Sequence, residues 1–177
     1  LMNQYVGESS YSTKPGAMFS FPGNVYFRVD YESSISDRYV QGSNDILAQY
    51  IPRIAEVFWT PKVNVTVVMF APPSGAYAVS HPAVGKDGRL LELHGEVHLG
   101  ENHLGMISVA ASWVHEFTHI FQFTVHDYSF LPIWYLEPTA EAVAYILVCE
   151  PTGLISTQSE LFPYLVDPEF GTARYLY

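Results

Sequence analysis

Residues 113 to 119 read Trp113-Val114-His115-Glu116-Phe117-Thr118-His119, and the reading of this stretch decides the fold around it. It lies within Met106 to Phe123, a run free of Gly and Pro, which predicts the longest helix uninterrupted by a breaker. Residues four apart on a helix are turned by only about 40° and separated by about 6 Å along the axis. The two imidazoles therefore emerge on one side and can share a metal ion. A tetrahedral Zn²⁺ at about 2.0–2.1 Å from each nitrogen suits that spacing. Glu116 projects beside such an ion rather than onto it, where a carboxylate can take a proton from an activated water.

Chance explains the pattern poorly. With seven histidines in 177 residues, random placement gives about 0.02 matches to His-Glu-x-x-His. The bland alternative is a surface helix with solvated polar residues. Against it stand the flanks Ile107, Val109, Ala110, Ala111, Val114, Ile120 and Phe121, which predict a helix buried over most of its circumference. Two histidines and a glutamate buried there without partners would be costly.

A catalytic zinc needs a third protein ligand and one open position. A third histidine six residues past His119, with Gly at three, is not available, because those positions hold Val125 and Gln122, and His126 is one residue out of register. The other option is a carboxylate from a following helix. Trp134-Tyr135-Leu136-Glu137-Pro138-Thr139-Ala140-Glu141 supplies one, with Glu137 18 positions after His119.

Together the two segments resemble the gluzincin zinc metallopeptidases, in particular the peptidase MA-like branch related to thermolysin and the zinc aminopeptidases. The resemblance covers about residues 24 to 148. It implies an α+β fold with a zincin-like catalytic core: a mixed twisted sheet, an edge strand above the active-site helix, and a following helix with the third ligand. It further implies one Zn²⁺ per chain on His115, His119 and Glu137, with Glu116 as general base and Glu141 holding His115 through its distal N–H. Pro138 stands where those enzymes usually have Gly, which is acceptable if Glu137 lies at the helix start but would disturb a helix already running from Pro132. The aminopeptidases' Gly-x-Met-Glu-Asn segment is missing, since Gly95-Glu96-Val97-His98-Leu99 occupies its place. The implied activity is therefore endopeptidase hydrolysis of a peptide or protein substrate. An oxyanion donor is expected from Tyr175, Tyr164, His126 or Tyr128, and Glu96, Val97, His98 and Leu99 are the expected substrate edge strand. Relatives of this kind often act outside the cytoplasm, and the resemblance implies an extracytoplasmic location. A different class of function compatible with the same residues is a non-catalytic zinc module that binds a peptide or partner. A closed structural site has no use for Glu116 and is usually rich in Cys.

Outward from this core, Asn24 to Tyr31 alternates Val25, Phe27, Val29 and Tyr31 with polar partners and predicts a half-buried strand. Ser43 to Phe58 predicts an amphipathic helix with Ser43 as N-cap, bent at Pro52. Val63 to Phe70, nearly continuous and β-branched, predicts a strand covered on both faces. Residues 1 to 23, rich in Gly, Ser and Pro from residue 7, are expected to be a loose lead-in, and residues 71 to 90 a long loop. A short strand is expected at 96 to 99 and a second helix ending near Val148. Residues 24 to 177 form one expected domain, truncated at the C-terminus because the family's oxyanion donor commonly lies farther out than the chain extends.

Composition narrows the classes. Eight Lys and Arg against 18 Asp and Glu give a net charge of −10, which repels phosphate backbones and argues against nucleic acid. No stretch approaches the roughly 18 apolar residues of a membrane helix, so no membrane insertion is expected. Cys149, the lone cysteine, cannot form an internal disulfide and is expected to be inert.

Overall fold

The structure is a computed structural model that describes residues 11–73, 75–100, 110–124, 132–149 and 151. It is a mixed α+β fold. Five strands, β1 (Thr13–Phe21), β2 (Val25–Glu32), β3 (Asn64–Phe70), β4 (Ala76–Val84) and β5 (Leu90–Leu99), form one sheet in the order β1-β2-β3-β5-β4. The helices are α1 (Asp37–Val57), α2 (Ala110–Gln122) and α3 (Ile133–Ala144), the last continuing as a π-helical turn at Tyr145–Cys149. The three central strands β2, β3 and β5 run parallel, and β1 and β4 flank them antiparallel.

Alternation places Phe27, Val29 and Tyr31 of β2, Val65, Val67 and Met69 of β3, and Leu93, Val97 and Leu99 of β5 on one fully buried face. Against that face pack Leu47, Ile51 and Ile54 of α1 and Trp113, Val114, Phe117, Ile120 and Phe121 of α2. The ring of Phe27 stacks on Phe121 at 5.0 Å. Each large apolar side chain buried this way contributes about 1.5–3 kcal/mol, so α2 is seated firmly enough to carry polar groups that burial disfavours.

Several expectations are corrected. Residues 13 to 21 are a strand, not a loose lead-in: Ala17, Phe19 and Phe21 pack against the core, and β1 pairs with β2 across a bulge between Pro15 and Met18. Likewise the expected loop at 71 to 90 contains β4. Its Pro82 is tolerated because β4 is an edge strand, where a missing N–H breaks no ladder on the open side. The first helix starts at Asp37, with Ser36 rather than Ser43 at its N-terminal boundary. It continues through Pro52, which lies on the exposed side, where the carbonyl it leaves free can be hydrated. The strand expected at 96 to 99 begins at Leu90.

One correction bears on function. Glu96, Val97, His98 and Leu99 do not form the edge of the sheet. They belong to β5, whose backbone is used on one side by β3 and on the other by β4. The edge is β4. Val97 and Leu99 point into the core with no exposed surface. Glu96 and His98 lie on the opposite face, hydrogen-bonded to each other at 3.1 Å, with the His98 ring between Phe70 at 4.6 Å and Tyr77 at 4.2 Å.

Among the described residues, no helix is long and apolar enough to cross a membrane.

A candidate metal centre between two helices

Helix α2 delivers two imidazoles and a carboxylate from a buried face. Trp113, Val114, Phe117, Ile120 and Phe121 are at most 1% exposed and fix the rotation of the helix. His115, Glu116 and His119 then look toward α3 rather than toward solvent. The start expected for this helix, Met106 to Val109, lies outside the described residues.

Helix α3 brings Glu137 opposite them. His115 Nε2 lies 3.1 Å from His119 Nε2 and 3.2 Å from Glu137 Oε2, and His119 Nε2 lies 3.5 Å from Glu137 Oε1. Ligand atoms about 2.05 Å from one tetrahedral centre are separated by about 3.3 Å. The two imidazole nitrogens stand near that separation, and one ligand atom from each of the three residues gathers within 4.8 Å. Among the described residues this is the one group of three or more His, Cys, Asp or Glu side chains whose ligand atoms gather closely enough for a metal. The donor set, two imidazole nitrogens and a carboxylate oxygen, fits Zn²⁺ with one position left open.

Glu141, one helical turn beyond Glu137, meets His115 Nδ1 at 3.1 Å. The ring is thus held at both nitrogens. Pro138 does not break α3, which runs from Ile133 to Ala144 with Pro138 inside it, and Thr139 Oγ1 donates to the Tyr135 carbonyl at 2.6 Å.

The electrostatics follow from this packing. Burial alone would lower the pKa of His115, but the hydrogen-bonded carboxylates of Glu137 and Glu141, with Glu116 close by, outweigh it and hold the pKa at about 10. Burial likewise pushes Glu137 up, yet the two imidazoles hold it well below the ordinary carboxylate range. Glu116 differs. It is 6% exposed, and burial raises its pKa despite the opposing pull of His115 and His119. A buried carboxylate with raised proton affinity beside two imidazoles is a group that can exchange a proton with a water held there.

The sequence reading passed over Gln122, which is fully buried. Its Oε1 faces His119 Nδ1 at 2.8 Å, and its Nε2 donates to the Leu136 carbonyl at 2.7 Å. The available signal was a single polar residue in the turn Ile120-Phe121-Gln122-Phe123, three residues past His119 and therefore on its face of the helix. His126, Tyr128, Tyr164 and Tyr175, the expected oxyanion donors, all lie outside the described residues.

In comparison with known proteins, no family model, no curated protein and no solved structure matches this chain.

Proposed function

We infer that this chain is a zinc-dependent metallopeptidase of the gluzincin kind, hydrolysing peptide bonds within a peptide or protein substrate. One observation carries the reading. His115 Nε2 lies 3.1 Å from His119 Nε2, and the two carboxylate oxygens of Glu137 meet these nitrogens separately, Oε2 at 3.2 Å from His115 and Oε1 at 3.5 Å from His119, with the buried carboxylate of Glu116 beside them. A three-residue N/O donor set with an adjacent base suits catalysis better than a closed structural site. The placement of α2 under the sheet, an antiparallel edge strand β4 at the side of the sheet next to α2, and a following helix that carries Glu137 all support a zincin-like core.

Bound Zn²⁺ would supply a Lewis acid where the three ligand atoms converge, polarising the attacking water and the scissile carbonyl. Glu116 takes a proton from that water as it adds to the carbonyl carbon. It then returns the proton to the departing amine nitrogen, so one residue serves as base and then acid. Glu141 holds His115 by Nδ1 at 3.1 Å, which leaves Nε2 turned toward Glu137 and His119, where it would serve as a ligand. The free side of β4 is the place for an extended substrate to pair its backbone.

The test is elemental analysis of the purified, dialysed protein beside a His119→Ala variant, followed by a peptide-library cleavage assay of the zinc-loaded wild type. About one zinc per chain, lost in the variant, with chelator-sensitive cleavage, is the expected result. Failure to take up zinc, or zinc uptake without cleavage of any peptide, would overturn the peptidase reading.

A further inference from the structure

We propose that Gln122 is a positioning residue that sets the tautomer of His119 and ties it to the chain segment presenting Glu137, so that two metal ligands from different helices are aligned by one buried amide. The inference rests on the zinc reading above.

The argument begins at a backbone carbonyl. The oxygen of Leu136 can only accept a hydrogen bond, so the atom of Gln122 that meets it at 2.7 Å must be the amide nitrogen. That fixes the orientation of the amide, an assignment otherwise ambiguous between its oxygen and nitrogen. The remaining atom, Oε1, faces His119 Nδ1 at 2.8 Å, and an amide oxygen can only accept. Nδ1 must therefore carry the proton. The lone pair of neutral His119 is left on Nε2, the atom that faces His115 and Glu137.

The second half of the link is mechanical. Leu136 immediately precedes Glu137 in the first turns of α3. A hydrogen bond from α2 to its carbonyl fixes the backbone from which Glu137 reaches the site. Gln122 has no exposed surface, so water does not replace either bond when the amide is removed, and the loss is transmitted to both ligands. His115 receives an equivalent hold from Glu141 at the other side of the site. The two histidines are thus oriented by different chemistry, a carboxylate for one and a neutral amide for the other. The amide adds no further negative charge around the ion.

The test uses the full chain with Gln122→Met, which keeps the volume and removes both hydrogen bonds, and Gln122→Glu, which keeps an acceptor for Nδ1–H but cannot donate to Leu136. Zinc affinity is measured by competition with a chromophoric chelator, the site is inspected by d–d absorption of the Co²⁺ form, and unfolding is followed in EDTA. Expected is a loss of zinc affinity of about 10–100-fold in Gln122→Met, an altered Co²⁺ spectrum, and an intermediate affinity in Gln122→Glu. Wild-type affinity and spectrum in Gln122→Met would overturn the proposal. So would equal losses in both variants, because the acceptor would then be irrelevant to His119. Should neither variant fold, long-range ¹H–¹⁵N spectra of the zinc-loaded wild type decide. A His119 Nδ1 proton protected from exchange supports the link, and one exchanging freely with water overturns it. A wild type that binds no zinc or Co²⁺ would instead overturn the zinc reading itself, an outcome distinct from any of these.

Discussion

The carboxylate of Glu141 meets Nδ1 of His115 at 3.1 Å, while Nε2 of the same ring faces Glu137 at 3.2 Å. One imidazole is gripped along its length by two carboxylates a helical turn apart. The Glu141 side chain is 40% exposed, so it contributes little to the core, and its replacement should act mainly on the metal. Glu141→Ala is expected to lower zinc affinity about 10–100-fold with a small change in thermal stability in EDTA. Unchanged affinity by chelator competition would mean that the bond does not orient the ring.

Charge pairing among His115, Glu137 and Glu141 predicts how the protein responds to pH in the presence of a chelator. His115 is held at about 10 against an ordinary 6.5, so its contribution to stability is complete below pH 6.5 and is lost as pH rises toward 10. Glu137 is shifted the other way from 4.5, so its contribution is complete above that value and is lost as pH falls. Thermal unfolding in EDTA should therefore show Tm falling between pH 6.5 and 10, and His115→Ala should flatten the slope. Because zinc must displace the proton on His115, affinity should climb over the same range. A Tm in EDTA that is flat from pH 6.5 to 10 would contradict the pairing.

Glu116 separates stability from activity. Its pKa is raised by burial, so an ionised Glu116 costs the fold stability increasingly as pH rises above the ordinary 4.5. Glu116→Gln removes the charge and keeps the shape. In EDTA at pH 7 the variant should be at least as stable as wild type, with zinc stoichiometry retained and peptide cleavage reduced about 10²–10⁴-fold. Cleavage at the wild-type rate would exclude Glu116 from the proton transfers.

Which parts of this arrangement were legible in the sequence follows from how local each signal is. The spacing of His115 and His119 and the apolar flanks of α2 are properties of one helix, and they led directly to the two imidazoles that meet Glu137. The alternation of β2 and the β-branched run of β3 were equally local. Strands β1 and β4 were hidden because Pro15, Gly16, Ser80 and Pro82 have the composition of loops, and only pairing with a neighbour makes them strands. Missing β4 moved the sheet edge onto β5. Gln122 was illegible for a related reason, since its role depends on a carbonyl 14 residues away that no spacing rule brings near.

The hidden strand β1 supplies the last prediction. Gly16 lies in the bulge between Pro15 and Met18. A Cβ built there would come within 2.3 Å of the Tyr31 ring and 2.5 Å of the Val29 carbonyl oxygen. The ring could in principle rotate, but Tyr31 is fully buried and its hydroxyl donates to Asn44 at 2.9 Å. The Val29 carbonyl is backbone in the neighbouring strand and cannot yield without moving β2. Gly16→Ala must therefore push β1 off the sheet locally, an overpacking cost of about 1–3 kcal/mol. For a chain of this size each kcal/mol shifts Tm by about 2–4 °C. The expected loss is thus about 2–12 °C, measured by thermal unfolding. Since the atoms nearest a Cβ at Gly16 belong to Tyr31 and Val29 of β2 and not to the helices that carry His115, His119 and Glu137, zinc affinity at 25 °C should stay at the wild-type value. An unchanged Tm would show that β1 does not lie over Tyr31, and a loss of zinc affinity would show that the sheet edge and the metal centre are coupled.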